Sequence, residues 1–150
     1  MSTRLSPEEI DDFLLTSLRV ILGIARPDGA PVLLPMWFTW VEGKLLMDTM
    51  AASRKVARLR ARPEVTCLAE SGRHYYTLKA VRLRGTCRIV DDPARVAGFH
   101  DLLVSTKPIY KGLLPERWPP ALARRRAQPR VVLEVTPTDI VSWDNRKLRR

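Results

Sequence analysis

The sequence has 150 residues, 45% of them hydrophobic, and its 26 Lys and Arg residues outnumber 16 Asp and Glu residues, for a net charge of +10. This length provides one hydrophobic core of ordinary size and excludes two, so we predict a single domain over residues 1–150. The longest apolar run, residues 31–41, is about half the ~20 residues of a membrane-spanning helix, and the N-terminus lacks the apolar segment of a secretion signal, so we expect a cytoplasmic protein with no membrane partner.

The first predicted element is a helix near the N-terminus. Ser6 and Glu9 have the spacing of a capping box, and Pro7 occupies the first helical position between them. Apolar residues then recur at helical spacing, which places this helix over residues 7–17.

Three extended runs follow, separated by turn sequences. The runs cover residues 19–25, 31–41 and 44–49. The turns are Arg26-Pro27-Asp28-Gly29 and Glu42-Gly43, which are sequences that reverse the chain between adjacent strands. We therefore predict a meander of three antiparallel strands.

The second half of the chain adds further helices and strands. A helix is predicted over residues 53–62, where Pro63 stops it, and another begins at Asp92-Pro93. Strands are predicted over residues 65–70, 76–90 and 130–135. The last of these ends at Pro137, after which residues 140–143 extend it. The proline-rich stretch 106–128 is predicted to be irregular apart from a short arginine-rich helix.

This element order predicts a mainly β fold. About six antiparallel strands with helices at three connections favour a closed or nearly closed barrel over a parallel doubly wound sheet. The sequence contains no Gly-x-Gly-x-x-Gly, which argues against a Rossmann-type dinucleotide site. Cys67 and Cys87 lie in separate apolar segments without clustered histidines, so we expect reduced core residues and no metal site.

The segment from Asp48 to Lys55 carries the strongest functional signal. A strand ends, small residues follow, and a helix begins with Ser53, Arg54 and Lys55. Free backbone N–H groups, a capping hydroxyl and two cations together suit a phosphate group. The alternative is a solvated basic face on which Ser53 only caps its helix, and the segment alone leaves both interpretations open.

Short motifs occur in a fixed order over roughly residues 8–148. They are Gly29-x-Pro31, Pro35-Met36-Trp37-Phe38, Thr49 followed by Ser53-Arg54-Lys55, the strands over 76–85 and 131–137, and Val141-Ser142-Trp143-Asp144. Their order and spacing resemble the pyridoxamine 5'-phosphate oxidase superfamily, and above all its flavin and deazaflavin oxidoreductase branch. The resemblance implies a six-stranded antiparallel split β-barrel with flanking helices, of the FMN-binding split barrel type.

The resemblance also implies roles for individual residues. The cofactor phosphate would be held by Thr49, Ser53, Arg54 and Lys55. The tricyclic ring of the cofactor would lie against Pro35, Met36 and Trp37. Relatives are homodimers with the cofactor at the subunit interface, and Trp143 matches a tryptophan that reaches the ring from the partner subunit. The alternative for Trp143 is a core residue that plugs the barrel.

Two departures from the family pattern bear on the cofactor and the reaction. Leu34 and Thr39 stand where true oxidases carry the Arg and Lys that reach the FMN phosphate. The Arg-x-His that grips the substrate phosphate is also missing after Trp143. The resemblance therefore implies coenzyme F420 in preference to FMN, and hydride transfer to a small organic acceptor in place of pyridoxamine phosphate oxidation. The arginines of residues 54–62 would suit the polyanionic tail of F420.

Other functions remain as alternatives. The same fold could carry or sequester the cofactor without turnover. The net charge and the basic runs 124–126 and 146–150 suggest nucleic-acid binding, but the cations are scattered and no groove-reading motif is present, so we expect no nucleic-acid partner. His74 is expected to be a solvent-exposed loop residue and His100 a packed or half-exposed helix residue. Flavin-type cofactors carry the redox chemistry themselves, so the absence of an obvious catalytic side chain does not exclude an enzyme.

Overall fold

The computed structural model describes residues 2–149. The α-helices are α1 (Pro7–Thr16), α2 (Arg54–Ala61), α3 (Pro93–Thr106) and α4 (Pro120–Arg126). The strands are β1 (Val20–Ala25), β2 (Pro31–Met36), β3 (Thr39–Val41), β4 (Lys44–Met50), β5 (Glu64–Ser71), β6 (Lys79–Val90) and β7 (Arg130–Asp144). Short 3-10 helices cover Tyr75–Thr77, Pro108–Leu113 and Asn145–Arg149. Between residues 2 and 149, no helix is long and apolar enough to cross a membrane.

All seven strands belong to one antiparallel sheet in the order β2-β1-β5-β6-β7-β4-β3. The two ends of this order, β2 and β3, are joined in the chain by residues 37 and 38 alone. Because so short a link connects the two ends of the sheet, the sheet curls back on itself into a half-barrel. The predicted mainly β fold with flanking helices is confirmed.

The predicted number of strands and the predicted meander are wrong. The extended run 31–41 breaks at Trp37-Phe38, so the sheet has seven strands where six were expected. β2 pairs with β1, whereas β3 pairs with β4 at the other end of the sheet. The β3–β4 hairpin turns at Glu42 and Gly43, whose φ angles of 51° and 73° match the two-residue turn that fits the twist of paired strands.

β7 is one continuous strand across Pro137, where the sequence predicted a break. From Val132 to Asp144 it pairs with the whole of β6, with a register shift between Arg84 and Gly85 that brings Pro137 opposite Gly85. A Cβ atom on Gly85 would lie 2.4 Å from the carbonyl oxygen of Thr136. Glycine at this position therefore allows the two backbones to approach closely, and the bulge accommodates the proline.

We expect Gly85→Ala to lower the free energy of unfolding by about 1–3 kcal/mol, because the added methyl group overlaps backbone that cannot move aside. Gly98→Ala in α3 is the matched control, since its Cβ would have no heavy atom within 4 Å. That variant should be neutral or stabilised by about 0.5–1 kcal/mol, as expected for Ala in a helix. Urea denaturation of both proteins measures the difference, and equal stabilities would contradict the close approach at Gly85.

The core of the half-barrel is apolar and contains both cysteines. Cys67 and Cys87 are 1% and 4% exposed, and both are free thiols, as predicted. Burial raises the pKa of each thiol to about 12, so both stay protonated at neutral pH.

α3 is held on the sheet by a buried carboxylate. Glu134 of β7 is 6% exposed and accepts hydrogen bonds from Arg95 of α3 at 2.8 Å and from Arg88 of β6 at 3.0 Å. The Lys44 ammonium of β4 lies 3.5 Å from the same carboxylate. These cations, led by the Arg95 hydrogen bond, lower the pKa of Glu134 to about 2. The contact to Arg95 fixes α3 against β7, and α3 supplies one wall of the candidate site.

Candidate functional site

A cleft with a volume of about 420 Å³, here called the cationic cleft, lies between β2, the end of β4 and the start of α2. Four residues predicted to hold a phosphate line it together: Thr49, Ser53, Arg54 and Lys55. β2 contributes an apolar wall of Val32, Leu34 and Met36. The remaining charged residues of the lining are Asp48, Arg58, Arg125 and Arg130.

The start of α2 faces this cleft. Ser53 is the N-cap, with extended backbone, and its hydroxyl accepts a hydrogen bond from the backbone N–H of Val56 at 3.4 Å. The N-terminus of a helix carries a partial positive charge and unpaired backbone N–H groups, both of which favour a bound anion. Ser53 therefore caps its helix and also lines the cleft, and its contact with a phosphate stays a prediction.

Lys55 is held in the cleft by neutral partners. Its ammonium donates to the Thr49 hydroxyl at 2.8 Å and lies 3.7 Å from the Met36 sulfur. Burial lowers the pKa of Lys55, and the charges of Arg125 and Arg130 lower it further, while Asp48 acts in the opposite direction. An anion in the cleft would relieve this destabilisation of the ammonium form.

The charges of the cleft are unbalanced. Five cationic side chains line it against the single carboxylate of Asp48, which is already paired with Arg130 at 2.7 Å. Within residues 2–149, the other four cations, Arg54, Lys55, Arg58 and Arg125, make no salt bridge. A concave surface with excess charge of one sign concentrates ions of the other sign. The cleft is thus suited to a ligand with several negative charges.

A second concavity of about 200 Å³, here called the Trp37 cavity, adjoins the cleft. The two share Met36, Asp48 and Arg130, so they are adjacent. Pro35 and Trp37 line the Trp37 cavity, which brings the residues predicted to contact the cofactor ring next to those predicted to hold its phosphate. In the part of the chain that the structure describes, no group of three His, Cys, Asp or Glu side chains could hold a metal ion.

Trp37 is fixed by a buried aromatic cluster. Its ring stacks on Tyr110 with centroids 4.3 Å apart and planes 13° apart. The Tyr110 hydroxyl donates to the Leu18 carbonyl at 2.6 Å and accepts from the Phe38 backbone N–H at 3.3 Å. These contacts hold the break between β2 and β3 and orient the indole.

A buried lysine supports the same cluster. The Lys107 ammonium lies 3.6 Å from the centroid of the Phe38 ring and 4.9 Å from that of Tyr110, and it donates to the Ser17 carbonyl. Lys107 is fully buried, and burial lowers its pKa to about 7. The aromatic faces attract the cation and offset part of this effect.

Comparison with known proteins identifies the family. The family model described as pyridoxamine 5'-phosphate oxidase matches residues 6–144. The chain belongs to the pyridoxamine 5'-phosphate oxidase family. The resemblance drawn from the sequence motifs is confirmed at this level. A search among curated proteins finds no match.

Solved structures of similar fold agree with membership of the pyridoxamine 5'-phosphate oxidase family. A conserved hypothetical protein of Mycobacterium tuberculosis is 27% identical with a TM-score of 0.82, covering 100% of this chain and 92% of that chain. An F420 reductase is 28% identical with a TM-score of 0.67, covering 91% of this chain and 98% of that chain. A FAD and heme binding protein of Mycobacterium smegmatis shares the fold: it is 20% identical with a TM-score of 0.69, covering 95% of this chain and 72% of that chain.

The departures from the family pattern are visible in the structure. Leu34 lines the cationic cleft but offers no charge, while Thr39 is fully buried and bonds the Thr106 hydroxyl at 2.6 Å. Neither residue can contact a phosphate as a cation would. Trp143 pairs with Ala80 on β6 and lines neither the cleft nor the Trp37 cavity, so one chain alone does not bring it to the other site residues. A role for Trp143 in the partner's site stays a prediction.

Sequence reasoning missed several residues of the site. Arg125 and Arg130 come from the end of the proline-rich stretch and the start of β7, and no pattern of residues indicates that they return to α2. His100 was expected to be packed or half-exposed, but it is exposed and lines the Trp37 cavity beside Phe99. His74 is exposed, as expected, and stacks on Tyr76 at 5.3 Å, away from both cavities.

Proposed function

We propose that this protein is a cytoplasmic oxidoreductase that binds a flavin-type cofactor, coenzyme F420 in preference to FMN, and transfers a hydride to a small organic acceptor. The observation that supports the proposal most is that the cationic cleft and the Trp37 cavity are adjacent and share lining residues. It offers a polyanion site and an aromatic wall side by side, which a phosphorylated tricyclic cofactor requires.

The residues present fit such a cofactor. Lys55, Arg54 and the Ser53 end of α2 would hold the phosphate, while Met36 and Trp37 would lie against the ring. When bound in its reduced form, the cofactor would supply a hydride and become oxidised, while the acceptor would gain two electrons and a proton would complete the product. The residues of this chain would bind the cofactor, orient its ring on the fixed indole of Trp37 and balance the negative charge of its phosphate.

The charge of the cleft supports F420 over FMN. A phosphate monoester carries about −1.5 to −2 at pH 7, which is less than the positive charge of the four cleft cations that have no salt bridge among the described residues. A ligand with carboxylates beyond its phosphate would match them better, and F420 carries an oligoglutamate tail. The similarity to a protein named as an F420 reductase, at 28% identity, points the same way.

We also propose that the protein is a homodimer with the cofactor at the subunit interface. The support is family membership together with exposed apolar residues on the outer sheet surface, where Leu33 is 65% and Ile140 is 38% exposed. A dimer would give Trp143 a site to enter on the neighbouring subunit. Sedimentation at micromolar concentration should give twice the mass of one chain, and a monomer would contradict the shared site.

Turnover distinguishes an enzyme from a carrier with the same fold. Reduced F420 is mixed with the protein and with enone or quinone acceptors, and the appearance of oxidised cofactor is followed by absorbance. We expect oxidation that depends on both protein and acceptor and that falls in Lys55→Ala at subsaturating cofactor. Tight binding without oxidation for any acceptor would favour the carrier and contradict the proposed enzyme.

A further inference from the structure

The turn between β5 and β6 and the 3-10 helix that follows β7 carry an exposed aromatic surface that the proposed function does not use. Tyr75 is 78% exposed and Tyr76 is 44% exposed. The Tyr76 ring stacks on His74 with centroids 5.3 Å apart and planes 11° apart, and the guanidinium carbon of Arg149 lies 3.9 Å from the Tyr76 centroid. These four residues are here called the tyrosine patch. Aromatic side chains that stay exposed as a group are typical of a binding surface.

The backbone that carries the tyrosine patch is fixed by hydrogen bonds and close packing. The backbone N–H of Asn145 donates to the Leu78 carbonyl at 2.9 Å, and its side-chain amide donates to the Tyr75 carbonyl at 2.7 Å. At the start of the turn, Gly72 has a φ angle of 109°, and a Cβ atom there would overlap the Thr77 carbonyl oxygen. Glycine therefore allows this turn to close tightly. A surface that is already ordered loses little conformational entropy when a ligand binds.

Two arginines of this surface have uncompensated charges. Arg149 belongs to the tyrosine patch, and Arg73 directly precedes it in the turn and is exposed. Within residues 2–149, neither arginine makes a salt bridge. The other cations of the 3-10 helix are paired with carboxylates, as Arg146–Asp144 and Lys147–Glu9. The chain as a whole carries a net charge of +10, so a polyanion is the ligand that the charge favours.

Exposed tyrosines beside unpaired arginines suit a single-stranded nucleic acid. Its unpaired bases stack on aromatic rings and on guanidinium planes, while its phosphates attract the cations. The expectation of no nucleic-acid partner rests on scattered cations and on the absence of a groove-reading motif. A single strand requires no such motif, and the fold brings residues 145–149 of the basic C-terminal run against the aromatic turn.

We propose that the tyrosine patch binds single-stranded nucleic acid, with bases stacked on Tyr75 and Tyr76 and phosphates next to Arg73 and Arg149. This function is separate from cofactor binding, because none of these residues lines the cationic cleft or the Trp37 cavity. Stacking uses the faces of the bases, which every base offers, so the binding tolerates changes of sequence.

The test measures fluorescence anisotropy of a labelled oligothymidine of about 12 nucleotides, a length within the usual range for one single-strand site, titrated with the full-length protein. An abasic oligomer of the same length keeps the phosphates and lacks the bases, so it separates stacking from the attraction between charges. We expect oligothymidine to bind at least about tenfold more tightly than the abasic oligomer, since each stacked base contributes about fivefold or more. Both affinities should fall as the salt concentration rises.

Four variants connect the binding to the tyrosine patch. Tyr75→Leu and Tyr76→Leu each keep an apolar side chain and remove the ring, so each should weaken oligothymidine binding at least about fivefold and leave the abasic oligomer unaffected. Arg149→Gln should weaken the binding of both oligomers. Arg124→Gln is the matched control, because it removes the same charge from the exposed helix α4, and it should bind oligothymidine as the unmodified protein does.

Three results would overturn the inference. The first is equal affinity for the two oligomers, or unchanged oligothymidine binding in both tyrosine variants. The second is a loss in Lys55→Ala with no loss in the tyrosine variants, which would place the oligonucleotide in the cationic cleft. The third is binding to vesicles of phosphatidylserine and phosphatidylcholine that depends on the two tyrosines, without binding of oligothymidine, which would assign the tyrosine patch to an anionic membrane surface.

Discussion

Lys55→Ala is expected to weaken binding of the cofactor by about 10- to 150-fold, equivalent to about 1.5–3 kcal/mol for a lost charge-assisted hydrogen bond. The Lys55 ammonium is positioned before the cofactor binds, because it donates a hydrogen bond to the Thr49 hydroxyl at 2.8 Å. The side chain therefore loses little further conformational entropy when the cofactor binds. Burial is the main cause of the lowered pKa of Lys55. In such partly buried surroundings an anion is attracted more strongly to the ammonium than it would be to an exposed lysine.

Lys111→Ala is a suitable control for Lys55→Ala. Lys111 is exposed on a 3-10 helix and lines neither the cationic cleft nor the Trp37 cavity. Its removal subtracts the same unit of net charge, so it measures the general electrostatic contribution to affinity. Fluorescence titrations at the same ionic strength compare the variants, and equal losses in both would show that Lys55 does not contact the cofactor.

The second large effect concerns pH and the buried Lys107. The folded protein releases the Lys107 proton at a pKa of about 7, whereas the unfolded chain releases it near the ordinary value of 10.5. Between these pH values the unfolded chain binds more protons, so the free energy of unfolding rises with pH. Below about pH 7 both states are protonated and this contribution to the pH dependence ends. The full rise is on the order of 4–5 kcal/mol, from 1.36 kcal/mol per pKa unit.

Lys107→Met isolates this effect, because methionine keeps most of the length of the side chain and removes the titrating group. The Ser17 carbonyl loses its donor in the variant, which lowers stability by a constant amount at every pH. Other titrating groups are common to both proteins and cancel in the difference. Urea denaturation at several pH values measures the free energy of unfolding of both proteins. From pH 7 to pH 10 it should rise more in the unmodified protein than in Lys107→Met. Parallel curves would contradict a depressed pKa for Lys107.

Local signals in the sequence were sufficient for most of the elements. The Ser6–Glu9 capping box forms as predicted, with Ser6 N–H donating to the Glu9 carboxylate at 2.7 Å, and Ser53 caps α2. The turn at Glu42-Gly43 was also predicted correctly. Each of these depends on contacts between residues a few positions apart, which a pattern of residue types records.

Features that depend on distant contacts were not predictable in this way. The break at residues 37–38 is held by Tyr110, which lies 72 residues from Phe38 in the chain. The continuity of β7 depends on Gly85 opposite Pro137, a pairing set by the register of two long strands. Alternation of apolar residues indicates a strand but does not identify the element that will interrupt it or the partner that will tolerate a proline.

The same distinction holds for the site. Thr49 and Lys55 are six residues apart, and their contact follows from a strand leading directly into a helix. Arg125 and Arg126 lie on the short helix α4 within the proline-rich stretch, and only the folded structure shows that they border the cationic cleft and the Trp37 cavity. The sequence therefore indicated a phosphate site, while the extent of its positive charge and the adjoining cavity required the structure.

The most direct test of the central proposal is an equilibrium titration of the purified protein with F420 and, separately, with FMN, followed by intrinsic tryptophan fluorescence. Trp37 should be quenched by a ring bound beside it, and Trp37→Phe should lose most of that signal while still binding. We expect tight binding of F420 and weaker binding of FMN. Binding of neither cofactor would contradict it, and tighter binding of FMN would contradict the preference for F420.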